Sequence, residues 1–326
     1  MKAIVLTKYG TPDGLKLEEI PKPVPNTNEV LVEVHAASIN SWDWEIVKGT
    51  PFVNRMMFGL FKPKKNVILG CDIAGIVVAR GENVKRLKVA DKVFGDLSKS
   101  GWGGFAEFVC TDENALSLKP EKMSFVDAAA SPQAGLLAVQ GLLRIGHLKK
   151  GHKVLINGAG GGAGTFAVQI AKHLGTEVTG VDSAEKLATI KSLGADHVID
   201  YAKVDFTRNG KTYDLIWDVM TTRSVSAYKR ALVPKGAYIT VGGHTPKLLR
   251  IMLLGRLIPG HKKIRLLIHK PNKCLDLLTK FLEEEKVRPV IDKVFPLNRI
   301  PEAFRFFGEG KFKGKVVITL EHNNQT

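Results

Sequence analysis

Lys153-Val154-Leu155-Ile156-Asn157-Gly158-Ala159-Gly160-Gly161-Gly162-Ala163-Gly164-Thr165-Phe166-Ala167-Val168-Gln169 is the stretch on which the reading of this chain turns. An apolar strand runs straight into a turn of glycine and alanine, and the turn opens a segment of helical periodicity. Residues without bulky side chains let the backbone approach a pyrophosphate, whose charge then rests on N–H groups at the helix N-terminus. A merely tight strand-to-helix turn would use the same glycines for packing alone. Strand before, helix after and further alternation beyond weigh against that plainer reading.

Downstream, strand patterns at 153–157, 177–181, 197–199, 215–218 and 237–241 alternate with helical patterns at 162–174, 184–193 and 224–231. Such alternation is the mark of a parallel sheet built from βαβ units. A longer helical pattern at 272–285 precedes an extended run at 287–294, a short helix at 301–307 and a closing strand at 315–320. Upstream the chain is β-rich. Glu29-Val30-Leu31-Val32-Glu33-Val34-His35 alternates like a half-buried strand, and Ile73-Ala74-Gly75-Ile76-Val77-Val78 reads as a more buried one. Pro21, Pro23, Pro25, Gly101, Gly103 and Gly104 supply the turns. The expected fold class is α/β: a β-rich domain at 1–125, a doubly wound parallel-sheet domain at 126–289, and a return to the first domain at 290–326.

Composition narrows the function. A chain of 326 residues that is 44% hydrophobic has room for two cores, and it shows neither the composition of a disordered chain nor a repeat. Cys71, Cys110 and Cys274 are far apart with no C-x-x-C pair. That excludes a disulfide framework and a cysteine-rich zinc module, and it suits a reducing compartment. No apolar run approaches the roughly 18 residues of a membrane span. The N-terminus turns polar at Thr7-Lys8-Tyr9, too soon for a secretory segment, so the expected location is the cytoplasm. The formal charge of +16 at pH 7 suits nucleic acid, an anionic membrane or an anionic cofactor. Without a basic recognition helix or an RNA-binding signature, no specific nucleic-acid partner is expected.

The second strand of the βαβ unit ends at Val181-Asp182-Ser183, the usual distance for a residue that reads the adenosine ribose. Asp182 would accept from both ribose hydroxyls and repel a 2′-phosphate, which favours NADH. Ser183 can donate to a phosphate, Lys186 can neutralise one, and Tyr201 can add a hydroxyl, which favours NADPH. Asp182 and Ser183 also suit a plain helix cap. The residues alone leave the choice open.

Together with Leu69-Gly70-Cys71-Asp72-Ile73-Ala74-Gly75 and Leu193-Gly194-Ala195-Asp196-His197-Val198-Ile199-Asp200-Tyr201, these segments resemble the zinc-independent quinone oxidoreductases of the medium-chain dehydrogenase/reductase superfamily. The resemblance extends from Met1-Lys2-Ala3 to Gly314-Lys315-Val316-Val317-Ile318. It implies a GroES-like catalytic domain, a Rossmann cofactor domain and a substrate cleft between them. It also implies hydride transfer from NAD(P)H, usually NADPH, to a small apolar quinone or an α,β-unsaturated carbonyl. Separately, a homodimer or monomer is expected.

On this resemblance Ala159, Gly160, Gly161, Gly162, Ala163 and Gly164 match the A-x-G-G-x-G phosphate loop, and Ser183, Lys186 and Tyr201 match positions that contact the adenosine phosphate. Asp182 departs from the small or sulfur-containing residue often found there and keeps NADH in play. Val241, Gly242 and Gly243 match a region that holds the nicotinamide carboxamide through backbone groups. Asn40-Ser41-Trp42-Asp43 matches the family's N-x-x-D segment. Asn40 is the candidate to bond a substrate carbonyl or the nicotinamide ribose, and Asp43 to fix its loop. The plain alternative is that Asn40 ends a strand and Asp43 caps a helix at 44–48. Leu137 stands where a threonine is common, and no residue stands out as proton donor.

Zinc-bearing relatives place a cysteine and a histidine at Asn40 and Ser41, and another histidine at Cys71. The four cysteines of their structural zinc lobe are absent too, so no metal is expected. Two other classes stay open: a zinc-free alcohol or aldehyde oxidoreductase, and a low-activity, membrane-associated or regulatory protein that binds the cofactor.

Lys247, Arg250, Arg256, Lys262, Lys263, Arg265, Lys270 and Lys273 punctuate a stretch with no acidic residue, interleaved with leucine, isoleucine and methionine. Residues 52–65 repeat this chemistry. The resemblance implies that both lie near the cleft mouth. Their apolar residues suit a pocket lining, a lid or a subunit contact with the charges simply solvated; alternatively the two stretches form one apolar, basic rim suited to anionic lipid.

Overall fold

A computed structural model of the chain describes residues 1–243, 247, 248, 251 and 262–322. The chain divides into two units, one of Met1–Gln133, Pro271–Glu283 and Ile291–Thr326 and one of Ala134–Lys270 and Glu284–Val290. The first junction falls after Gln133 rather than near 125, and the helix Leu275–Glu283 groups with the first unit rather than the second.

In the first unit, the strand Glu29–Ile39 is the hub of a seven-stranded sheet. It pairs antiparallel with Asp72–Arg80, with Phe108–Asp112 and with Lys315–Thr319 from the far end of the chain. Val30, Val32 and Val34 are sealed inside while Glu33 and His35 remain half-buried, the alternation expected of a strand with one face on a core. Phe105 and Phe304 meet edge to face in that core, with ring centroids 5.9 Å apart. This packing carries the returning C-terminal strand to the end of Glu29–Ile39, beside Asn40.

The second unit is a six-stranded parallel sheet in the order His197–Asp200, Glu177–Asp182, Lys153–Asn157, Tyr213–Asp218, Leu232–Thr240, Lys263–Leu266. Val154, Leu155 and Ile156 are fully buried, as a central strand covered on both faces requires. Strand order reverses beside Lys153–Asn157, and ligands of doubly wound sheets gather at the carboxyl ends of the strands at such a switch point. The glycine loop leaves the sheet there.

Several elements differ from the sequence pattern. The helix expected at 184–193 is a 3-10 turn, Ala184–Lys186, followed by Leu187–Ser192. Lys263–Leu266, within the basic stretch, pairs in register with Leu232–Thr240 as an edge strand. The strand expected at 287–294 begins only at Ile291, because Pro289 has no N–H to give a ladder and the Arg288 N–H is held by Gln169 Oε1 at 3.1 Å.

Candidate active site

The glycine loop is crowded beneath and open in front. Gly158 adopts φ of 83°, a conformation that favours glycine, and the Gly158 and Ala159 N–H groups both donate to the Val181 carbonyl, at 2.9 and 3.1 Å. A Cβ at Gly164 would lie 2.0 Å from the Gly158 oxygen, and one at Gly160 would lie 2.7 Å from Lys186 Cβ. At Gly161 a Cβ would meet only the Gly158 oxygen, 3.6 Å away. Gly161 caps the helix Gly162–His173, whose first-turn N–H groups have no acceptor within the helix. Ala159, Gly160, Gly162 and Ala163 complete a cradle that suits a pyrophosphate.

Asp182 does not display its carboxylate as the sequence suggests. Oδ2 accepts from the Gly160 N–H at 2.8 Å, Oδ1 accepts from the Ser183 N–H at 2.9 Å, and the Lys186 ammonium stands 3.9 Å away. Asp182 and Lys186 are both buried, whereas Tyr201 is exposed and Ser183 is half-buried, its hydroxyl donating to Glu185 at 3.3 Å. Asp182 therefore ties the loop together, with its charge offset by Lys186. Asp182→Ala, which on sequence grounds should favour NADPH by removing a like charge, is now expected to weaken NADPH and NADH alike. Fluorescence titration with each cofactor checks this.

A polar network that the sequence did not suggest lies under the same end of the sheet. Asp218 is buried at the end of its strand, where its carboxylate accepts from Asn157 Nδ2 at 2.8 Å, the Met220 N–H at 2.8 Å and the Tyr238 hydroxyl at 2.9 Å. Burial pushes the Asp218 carboxyl above its ordinary range, against the pull of these donors. The Val241 N–H donates to the Asp218 carbonyl at 2.8 Å, and the Thr221 and Thr240 hydroxyls donate to the Gly242 carbonyl at 2.8 and 3.0 Å. Gly243, at φ of 137°, leaves no room for a Cβ beside Thr221. The network joins Asn157, just before the glycine loop, to Val241, Gly242 and Gly243. An aspartate closing the apolar run Leu215-Ile216-Trp217 was the available signal.

In the first unit, Asn40 and Asp43 belong to a second buried cluster. Asn40 Nδ2 donates to Asp72 Oδ2 at 2.9 Å and approaches Cys71 Sγ at 3.4 Å, while its Oδ1 accepts from Lys315 Nζ at 2.5 Å. Both ends of the amide are thus committed to protein partners. Asp43 accepts from the Asn40 N–H at 2.8 Å and the Gly70 N–H at 2.9 Å, capping the helix Ser41–Lys48 and fixing the approach to Cys71. The helix begins at Ser41 rather than near 44 because this cap forms at Asn40.

Burial lifts the Asp43 carboxyl to about 7, against the pull of its two N–H donors. An acid held above its unfolded value binds protons more tightly when folded, so this group's contribution to stability falls as pH rises from about 4 to about 7. Asp43→Asn loses one of the two N–H bonds, at a cost of about 1–3 kcal/mol, but escapes the ionisation penalty. The deficit relative to the parent should therefore be larger at acid than at alkaline pH in urea unfolding.

Asp72 also accepts from the Gln133 N–H at 3.1 Å and has Lys315 Nζ 3.5 Å from Oδ2. Burial raises its carboxyl to about 6, and the Lys315 ammonium restrains the rise. Burial also lifts the Cys71 thiol well above its ordinary value, helped by the carboxylates of Asp43, Asp72 and Asp96. Cys71, Asp72 and Asp96 bring ligand-capable atoms within 4.8 Å of one another, and Asp72 shares its carboxylate with the Lys315 ammonium.

Comparison with known proteins follows this architecture. A profile described as alcohol dehydrogenase GroES-like domain matches residues 26–121, and one described as zinc-binding dehydrogenase matches 193–318. The chloroplast envelope quinone oxidoreductase homolog of Arabidopsis thaliana is 32% identical, over 98% of this chain and 98% of the relative. The chain belongs to the zinc-independent quinone oxidoreductase branch of the medium-chain dehydrogenase/reductase superfamily. The quinone oxidoreductase of Coxiella burnetii superposes with a TM-score of 0.88 at 31% identity, covering 98% of this chain and 99% of its own. The Arabidopsis NADPH-dependent alkenal/one oxidoreductase is 32% identical over 98% of this chain and 79% of the relative.

Of the basic, apolar stretches noted in this quinone oxidoreductase relative, much of 247–273 lies outside the described residues, including Arg250, Arg256 and the leucines at 249, 253, 254 and 257. Within the described part, Lys262 is engaged: its ammonium donates to the Lys229 and Leu232 carbonyls, both at 2.7 Å. Lys262 is thus a structural tie rather than a free surface charge. Residues 52–65 are described throughout. No described helix is long and apolar enough to cross a membrane.

Proposed function

We propose that this chain reduces quinones or α,β-unsaturated carbonyls with a hydride from NADPH. The observation that carries the reading is the open space over Gly161, framed by Gly158, Gly160 and Gly164, where an added Cβ would collide with its neighbours, in a chain whose relatives are named quinone and alkenal/one oxidoreductases. Bound NADPH supplies the hydride. The first turn of Gly162–His173 would hold its pyrophosphate, with Ala159, Gly160 and Gly164 keeping that turn against the sheet. Ser183, Lys186 and Tyr201 would hold the adenosine phosphate, and the Val241-Gly242-Gly243 backbone the carboxamide. Asp182 allows NADPH because Lys186 already offsets its charge.

Asn40 and Asp43 act in this proposal as positioning residues: they shape the Gly70-Cys71 loop and leave proton delivery to solvent. The reaction is metal-free in this reading, since the Lys315 ammonium supplies the positive charge that Asp72 and the Asn40 oxygen require. Direct transfer then needs an acceptor already activated by conjugation. Cys71, Cys110 and Cys274 form no disulfide, which supports a reducing compartment such as the cytoplasm.

The test is NADPH consumption after dialysis against chelator, with a benzoquinone, a naphthoquinone, an enone, an enal and a saturated aldehyde. Turnover of conjugated acceptors alone supports the proposal; turnover of the saturated aldehyde favours the alcohol or aldehyde oxidoreductase reading. Lys186→Ala should raise the NADPH KM by about 10- to 100-fold, the worth of one charged hydrogen bond, and change that for NADH much less. Equal effects on both would show that Lys186 does not read the 2′-phosphate.

A further inference from the structure

The helix Phe52–Phe58 is turned inside out. Its polar residues face the protein: Asn54 is 3% exposed and donates to the Thr50 carbonyl at 3.0 Å, and Arg55 donates to the Gly49 carbonyl at 3.1 Å while lying over the Tyr9 ring. Phe58 anchors the inner face edge-on against Trp102, with ring centroids 5.9 Å apart. Phe52, Val53, Met56 and Met57 are left facing water, and Met56 is 67% exposed. Ordinary surface helices show the opposite polarity.

The loop that follows extends the same face. The Tyr9 hydroxyl donates to the Gly59 carbonyl at 2.8 Å and the Lys64 N–H donates to the Phe58 carbonyl at 2.7 Å, so the turn is pinned at its base. Its tip carries Leu60 and Phe61, the latter 90% exposed, followed by exposed Lys62, Lys64 and Lys65. From Ile46 to Cys71 the chain has five Lys or Arg and no Asp or Glu. An anchored apolar ridge flanked by exposed lysines, in a run of sequence without acidic residues, fits a surface that is greasy within and anionic at its edge.

We infer that residues 52–65 form a docking surface for an anionic lipid membrane. Charge decides against a second copy of the chain. A two-fold contact through this ridge would bring two clusters of Lys62, Lys64 and Lys65 into one interface with no acidic residue from Ile46 to Cys71 to offset them, on partners that each carry +16. Insertion of Phe52, Met56 and Phe61 among lipid headgroups buries the ridge, while the lysines meet the anionic headgroups. The contact is reversible and requires no spanning helix. It stands whether or not the chain reduces quinones.

The test is cosedimentation of the full chain with phosphatidylcholine vesicles, with and without phosphatidylserine, at low and high salt. Binding should require phosphatidylserine and fall as salt rises. Changing Lys62, Lys64 and Lys65 together to Gln should weaken it by about 100-fold, whereas the same change at Lys149, Lys211 and Lys311 should have little effect. Phe52→Ser, Met56→Ser and Phe61→Ser in combination should weaken it by about tenfold or more with an unchanged melting temperature. If that combination alters folding, Phe61→Trp gives an independent reading: its emission should shift to the blue on phosphatidylserine vesicles and not on phosphatidylcholine. Absence of binding to anionic vesicles at low salt overturns the inference, as does equal binding by the two lysine triples. Concentration-dependent dimers lost on Phe61→Ser, without vesicle binding, would assign the ridge to self-association instead.

Discussion

Gly161→Val is expected to fold like the parent and to lose NADPH by at least about 1,000-fold. The two halves of that result have separate causes. Gly161 sits at φ of −84° and ψ of 179°, extended backbone open to any residue, and its Cβ would meet only one atom, at 3.6 Å. Nothing in the fold opposes the side chain. What opposes it is the ligand, because the methyl groups would occupy the space in which a pyrophosphate must approach the helix N-terminus. Gly164→Val should fail differently: its Cβ would stand 2.0 Å from the Gly158 carbonyl oxygen, a backbone atom that cannot swing aside. That substitution should cost about 4 kcal/mol or more of stability. Thermal unfolding together with NADPH titration separates the two. Full affinity in a folded Gly161→Val protein would place the phosphates elsewhere.

Lys315→Met should cost about 3–5 kcal/mol, the usual penalty for stranding one member of a buried ion pair. Lys315 is 3% exposed and Asp72 fully buried, so water cannot replace the lost ammonium, and the Asn40 Oδ1 acceptor loses its donor as well. The sign of the pH dependence follows from Asp72, whose carboxyl is raised to about 6 even with Lys315 beside it. Without the ammonium it rises further, so the variant's stability keeps falling with pH beyond the point where the parent's levels off. Urea unfolding at mildly acid and mildly alkaline pH should show the larger deficit at alkaline pH. A loss below about 0.5 kcal/mol at both would mean that the pair behaves like a surface salt bridge.

The glycine loop was legible because everything that defines it is consecutive. The strand Lys153–Asn157 has the limits that its apolar run announced, and the helix Gly162–His173 ends one residue before the expected limit. Asn40, Asp72 and Lys315 illustrate what was not legible. Asn40 and Lys315 are 275 positions apart, and only sheet pairing brings the start of Lys315–Thr319 against the end of Glu29–Ile39. No local pattern marks that lysine as buried; lysines are usually outside. Asp182 ends its strand, as the sequence pattern places it, yet its orientation toward the Gly160 N–H depends on a 3-10 turn that the local pattern presents as continuous helix. The Phe52–Phe58 helix reverses the rule by which amphipathic segments are read, since its apolar side faces out.

The return of the chain to its first unit also sets an order of assembly during synthesis. Most of the second unit is one continuous stretch, Ala134–Lys270, and can pair its parallel strands as soon as that stretch has emerged. The first unit cannot close then. Its hub strand lacks the partner Lys315–Thr319, and Asp72 lacks its counter-charge, until the ribosome has passed residue 315. For most of translation the early-made half therefore waits with an open sheet edge and an uncompensated acid, exposed to the pairing errors that open edges invite. The late arrival of the returning segment, with the strands Ile291–Pro296 and Lys315–Thr319, completes the sheet and brings the counter-charge to Asp72.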